Sequence, residues 1–168
     1  IDDRPYAGIA RTDLVPFARL ARADLDGIMP AHVVYPQFDE RPAGFSPPWL
    51  KRVLRTALGF GGAVVSDDLC MAGAAGAGGY PDRARAALEA GCDMLLVCND
   101  PQGAAEVLAA LSGARQAGPQ SPLTRLYGHA VPQEHGPHPT VPLEEAARAV
   151  AAFAASTNYT APLPLEAT

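Results

Sequence analysis

Gly62-Ala63-Val64-Val65-Ser66-Asp67-Asp68 is a continuous apolar run that stops on two adjacent carboxylates. Its apolar residues do not alternate with polar ones. A strand covered on both faces reads this way, and such strands belong to parallel sheets flanked by helices. In parallel α/β folds the C-terminal ends of the strands carry the active site. One stretch therefore points both to a fold class and to the place where chemistry is expected.

Two more runs of the same kind lie outward from it, Gly27–Val34 and Asp93–Val97. Helices are expected between them. Asp13 suits a helix N-cap, and Leu14, Phe17, Ala18 and Ala21 follow at helical spacing, with Pro16 in the first turn. Ser46 and Pro47 open a second helix through Trp49, Leu50, Val53 and Leu54 that ends before Gly59. Further helices are predicted over residues 81–90 and 102–111, the latter opened by Asp100 and Pro101. Residues 1–12, 35–45 and 72–79 read as loops. The order is helix, strand, helix, strand, helix, strand, helix, an α/β pattern. Three βα units are too few for a closed (β/α)8 TIM barrel, which takes roughly 250 residues, but suit its C-terminal part. Residues 1–112 are assigned to that part. Residues 113–168 form a Pro/Gly-rich tail with a last helix from about Leu143 to Ala155. The chain starts at Ile1 and reads as cut at its N-terminus.

The composition narrows the classes of function. At 48% hydrophobic residues the chain can bury a core. The net charge is −5, and the cations are scattered. No basic stripe for nucleic acid is present, and no apolar run approaches the ~20 residues of a membrane-spanning helix. The cysteines Cys70, Cys92 and Cys98 match no zinc spacing and read as reduced, buried thiols of a reducing cytoplasm. His129, His135 and His138 lie in a polar, Pro-rich stretch that reads as solvated loop, so no metal site is expected. The sequon Asn158-Tyr159-Thr160 would matter only in a secreted protein.

Three strand ends remain as candidates: His32, Asp67-Asp68 and Asn99-Asp100. Successive strand residues face opposite sides. If Asp67 faces the mouth, Asp68 turns away to orient a loop or cap backbone N–H groups. By position alone both carboxylates could equally be loop-start residues, and His32 a core imidazole. Asp100 reads first as an N-cap. Phosphate-loop and Gly-x-Ser-x-Gly motifs are absent, and the glycines from Gly73 to Gly79 lack dinucleotide spacing.

Longer pieces occur in a telling order. They are Asp13-Leu-Val-Pro-Phe17, Met29-Pro-Ala-His-Val33 with Tyr35-Pro36, and Arg41-Pro-Ala-Gly-Phe-Ser46. Trp49-Leu50, Leu54-Arg55, Leu58-Gly59-Phe60, Val65-Ser-Asp-Asp-Leu69 and Ala87-Leu-Glu-Ala-Gly-Cys-Asp-Met-Leu-Leu-Val-Cys-Asn99 follow. From about Ile1 to Leu111 this series resembles the bacterial β-N-acetylglucosaminidases of glycoside hydrolase family 3 that serve peptidoglycan recycling.

The resemblance implies a TIM barrel and a retaining exo-β-N-acetylglucosaminidase that needs no cofactor. Its implied substrate is N-acetylglucosamine β-linked to anhydro-muramic acid, with or without peptide, and its place the cytoplasm. The complete enzyme is expected to be a monomer. The family's nucleophile falls on Asp67. A retaining glycosidase needs such a carboxylate to attack the anomeric carbon. The family's acid/base His stands on a loop ahead of the part resembling Ile1–Pro5, and is missing from this chain together with the Lys-His motif and the Arg that hold the sugar. His32, Met29 and Asp68 are expected to line the sugar pocket. Two alternatives stay open: a non-catalytic half-barrel that binds sugar or a complementary chain, and another family 3 hydrolase such as a β-glucosidase.

Overall fold

Pro30 divides the first of the three apolar runs. In the computed structural model, which describes residues 1–113, 121–128 and 142–156, strand β1 is only Gly27–Ile28. Proline has no N–H to give to a ladder, so pairing stops short of it. Val34–Tyr35 (β2) instead pairs antiparallel with Asp39–Pro42 (β3). The strand expected over Gly27–Val34 and the loop expected over 35–45 are thus replaced by a short strand, a connection and a hairpin. Asp39 pins the hairpin to the next helix: its Oδ2 accepts from Arg41 Nη2 at 2.8 Å and from Ser46 Oγ at 2.8 Å. The Arg41 guanidinium is the main reason its carboxyl is held down at about 2.

The other two runs form strands, Ala63–Asp68 (β4) and Met94–Leu96 (β5). The sheet order is β1-β4-β5, all parallel. Gly27 and Ile28 lie beside Ala63 and Val64, while Val65 and Asp68 lie beside Met94 and Leu96. β4 continues through Asp67 and Asp68, where the apolar pattern had ended it. Helices Tyr80–Ala90 (α3) and Pro101–Ala110 (α4) follow β4 and β5. A helix over Pro48–Ala57 follows the hairpin and winds wide, in the π manner, with Leu58 N–H donating to Val53 O five residues back at 2.9 Å. The result is a partial, open (β/α) barrel with a helical and loop tail.

Helix starts were legible where a side chain closes a cap. Asp100 Oδ1 accepts from Gly103 N–H at 2.9 Å, and Ser46 Oγ accepts from Trp49 N–H at 3.2 Å. Asp13 is different. It precedes Leu14–Arg22 (α2) but makes no cap bond, and accepts instead from Arg4 Nη1 at 2.8 Å and Thr12 Oγ1 at 2.9 Å. Residues 1–12, expected as loop, hold the helix Tyr6–Arg11 (α1). Six residues cannot sustain a helix alone. Packing does so here: Ile9 is buried, and Tyr6 stacks on Phe38 at 4.7 Å and leans on Trp49 at 5.8 Å. The expected loop 72–79 is mostly a 3-10 segment, Ala72–Ala77.

The main core lies between β4 and the helices. Val64 and Leu69 are fully buried, as are Ala84, Ala87 and Ala90 of α3. Small side chains let that helix approach the sheet closely. At the N-terminal end of the sheet, Arg55 donates to the carbonyls of Phe60 and Gly62 and pairs with Asp93 at 2.7 Å. Asp93 Oδ2 also accepts from Val64 N–H at 2.8 Å. A Cβ on Gly62 would stand 2.5 Å from the Asp26 carbonyl, so only glycine fits there. In the tail, Pro122–Leu126 forms a 3-10 turn whose Arg125 reaches the Asp24 carbonyl at 3.1 Å and Asp26 at 3.4 Å.

The chain divides into two units, Ile1–Gly128 and His129–Thr168. The second contains the helix Leu143–Ser156 (α5), close to the span that spacing predicted. His129, His135, His138 and the sequon at Asn158 lie outside the described residues.

Candidate functional site

β4 delivers Ser66, Asp67 and Asp68 to the C-terminal edge of the sheet, and each does something different. Ser66 is buried, and its Oγ accepts from Leu96 N–H at 3.0 Å, stitching β4 to β5. Asp68 faces the loops: its Oδ1 accepts from Cys70 N–H at 2.9 Å and from Cys98 N–H at 3.1 Å. One carboxylate oxygen thus holds the exits of both strands. Desolvation works to raise the Asp68 carboxyl pKa, but these two N–H donors, aided by Cys70 and Asn99 side chains, outweigh it and leave it below its ordinary value.

Asp67 is half-buried, and its Oδ1 accepts from the Asp68 N–H at 2.9 Å. Among the described residues no cation forms an ion pair with it. Of the two adjacent carboxylates, one is taken up by the loops and the other is left with acceptor capacity to spare.

His32 comes to the same place from the connection after β1. Its Nε2 lies 3.2 Å from the Asp68 carbonyl oxygen. A carbonyl can only accept, so that nitrogen carries the proton. Its Nδ1 is buried with no partner, and the ring rests on Phe45 at 4.9 Å. Gly73 closes over it: a Cβ there would sit 2.9 Å from His32 Cβ. His32 therefore positions the strand end that carries both aspartates.

Met29 also borders a second feature. It is 52% exposed and lines an apolar cavity of about 230 Å³ together with Ile9, Phe17, Ile28, Tyr35 and Trp49. His32, Asp67 and Asp68 do not line that cavity. Asn99-Asp100 is mainly a helix start, and Asp100 Oδ2 also accepts from Tyr80 OH at 2.8 Å.

Arg83 had escaped the sequence reading. From α3 it donates to Leu69 O at 2.7 Å and Gly78 O at 2.8 Å, and its guanidinium lies 5.0 Å from the Tyr80 ring centre. It braces the loop that leaves Asp68. Nothing in the spacing of an Arg on an amphipathic helix marks such a reach. The cysteines also differ from expectation. Cys92 alone is buried, Cys70 is partly covered and Cys98 is exposed, because the last two stand past the strand ends. Among the described residues no three His, Cys, Asp or Glu side chains cluster as a metal site would require. No described helix is long and apolar enough to cross a membrane.

Residues 1–122 match the glycosyl hydrolase family 3 N terminal domain. The chain belongs to glycosyl hydrolase family 3. A β-hexosaminidase of Thiobacillus denitrificans is 55% identical to this family 3 chain over 148 residues, which is 88% of the chain and 40% of the relative. One from Chromobacterium violaceum is 56% identical over 127 residues, 76% of the chain and 36% of the relative. Among solved structures, NagZ from Neisseria gonorrhoeae in complex with N-trifluoroacetyl-D-glucosamine is similar, with a TM-score of 0.64 and 42% identity. That match covers 74% of the family 3 chain and 34% of NagZ. The chain thus spans about two fifths or less of the length of these relatives.

Proposed function

We propose that this chain is the C-terminal part of the TIM barrel of a retaining exo-β-N-acetylglucosaminidase, residues 1–112 forming the barrel part and 113–168 its tail. Asp67 is its nucleophile. The observation that carries this reading is the division of labour at the end of β4, where Asp68 is bound into the loops and no cation among the described residues pairs with Asp67. The likeness to β-hexosaminidases, and to a NagZ structure holding an N-acylated glucosamine, supports the choice of sugar.

On this reading Asp67 attacks the anomeric carbon as the glycosidic bond breaks, giving a covalent glycosyl-enzyme that water then hydrolyses. A His from sequence ahead of Ile1 protonates the leaving oxygen and later activates the water. Met29 and His32 border the sugar pocket, and Asp68 fixes its rim. The substrate is N-acetylglucosamine on anhydro-muramyl fragments of peptidoglycan, and the site of action is the cytoplasm.

The test uses the full-length protein with Asp67→Ala and a nitrophenyl β-N-acetylglucosaminide. Turnover is expected to vanish while N-acetylglucosamine still binds. Azide should then restore cleavage by bonding to the anomeric carbon in place of the carboxylate, giving an α-glycosyl azide. Near-normal turnover in the variant would remove Asp67 from the role. A second reading, a half-barrel that only binds sugar or a complementary chain, draws on the apolar surface at Phe17, Leu20 and Met29, which are 44%, 46% and 52% exposed. A sharp monomer peak for this chain in size-exclusion chromatography would count against it.

A further inference from the structure

We infer that Cys70 and Cys98 form a reversible disulfide across the ends of β4 and β5, a thiol modification site for a peroxide-class oxidant. The register places them together. Asp68 lies beside Leu96 in the parallel β4–β5 pair. Cys70 and Cys98 each follow two residues later, just past the ends of the two strands. Neighbouring strands are about 4.8 Å apart, and a disulfide needs Cα atoms about 4.4–6.8 Å apart.

A second observation brings the two backbones together independently. Both backbone N–H groups donate to one oxygen, Asp68 Oδ1, at 2.9 and 3.1 Å. The two nitrogens are therefore no more than about 6 Å apart. The two strand ends are also tied just before the cysteines, where Leu69 N–H donates to Leu96 O at 2.9 Å.

Exposure assigns the order of events. Cys98 is exposed and Cys70 partly covered. The Cys98 sulfur attacks one oxygen of the peroxide, the O–O bond breaks, and a sulfenic acid and water result. The Cys70 thiol then attacks that sulfur, forming the S–S bond and releasing a second water. Two S–H groups are oxidised, and one peroxide is reduced to two waters. Desolvation, and then the Asp68 charge, push the Cys98 thiol above its ordinary value. Little thiolate is present at neutral pH, so the reaction runs slowly and calls for excess oxidant. Cys92 serves as an internal control. It is 5% exposed, its Sγ lies 3.7 Å from Gly44 O, and burial pushes its thiol up to about 12.

The experiment treats the folded full-length protein with hydrogen peroxide, then denatures, alkylates and maps it by mass spectrometry. Alkylation of Cys70 and Cys98 should fall several-fold together while Cys92 stays constant. A linked Cys70–Cys98 peptide, lighter by two hydrogens, should appear and revert with dithiothreitol. The Cys70→Ser variant should stop at a Cys98 sulfenic acid that dimedone traps. The inference is overturned if both cysteines stay alkylatable, if either links to another cysteine or another molecule, or if the same link forms as fast in urea. None of these outcomes depends on Asp67 being a nucleophile.

Discussion

Two aspartates mark the two ends of the β4–β5 pair. Asp93 stands where β5 begins, and Asp67 stands where β4 leaves the sheet. Asp93 is held by the Arg55 guanidinium and by the Val64 N–H. Asp67 holds only its neighbour's N–H among hydrogen-bond donors and pairs with no cation among the described residues. A carboxylate whose lone pairs and charge are both met contributes to the fold and is unavailable for reaction. A carboxylate left partly unmet costs some stability and keeps its nucleophilicity. The contrast puts a saturated carboxylate at one end of the sheet and one with spare acceptor capacity at the other, the end where parallel α/β folds generally carry their active sites.

The largest expected effect tests the chemical end. Asp67→Asn in the full-length protein should lower kcat by about 10³-fold or more, read with a chromogenic N-acetylglucosaminide, and leave the urea midpoint nearly unchanged. A large loss of stability would mean that Asp67 is a structural carboxylate like Asp93, and the contrast would collapse.

The reverse pattern is expected at the other end. Asp93→Ala strands the partly buried Arg55, and should cost about 2–3 kcal/mol in urea unfolding with little change in KM. Gly62→Ala should cost about 1–3 kcal/mol, because its new Cβ meets backbone carbonyls that cannot move aside.

Asp68 lies between these extremes and sharpens them through pH. Its folded pKa is below the unfolded value of about 3.9. Its contribution is therefore present above that pH and is lost as pH falls through the folded value. Asp68→Asn should cost about 1 kcal/mol near neutrality. Its urea midpoints should also fall less steeply than the wild type's below about pH 4. The smallest effect belongs to neither end: Arg85→Ala removes an exposed ion pair to Asp82, and should change stability by no more than about 0.5 kcal/mol.

Much of this contrast could be anticipated and some could not. The apolar run into Asp67-Asp68 indicated a buried parallel strand and the end at which its carboxylates leave the sheet, because continuous hydrophobicity and chain direction are local properties. The caps of Ser46 and Asp100 were legible for the same reason, since each bond spans three residues. The break at Pro30 was in the sequence too, but the flanking apolar residues concealed it. Asp13 was misjudged as a cap because Arg4, nine residues away, competes for its carboxylate. Residues 6–11 were misjudged because the stacking of Tyr6 on Phe38 needs the hairpin to exist first.

The sequence by itself determined the succession of parallel strands and the helices between them, though not the hairpin or α1, and with it the parallel class, the family and the candidate nucleophile. All of these rest on periodicity, on residue type at a strand end, or on short motifs in a fixed order. Only the tertiary structure decided which of the two aspartates the loops consume, that His32 braces the end of β4, that Arg83 reaches back to Leu69, and that Cys70 and Cys98 share one acceptor. Each of those turns on a contact between groups 14 to 36 residues apart that meet within about 3 Å. Such meetings are set by register and packing, which no local pattern encodes.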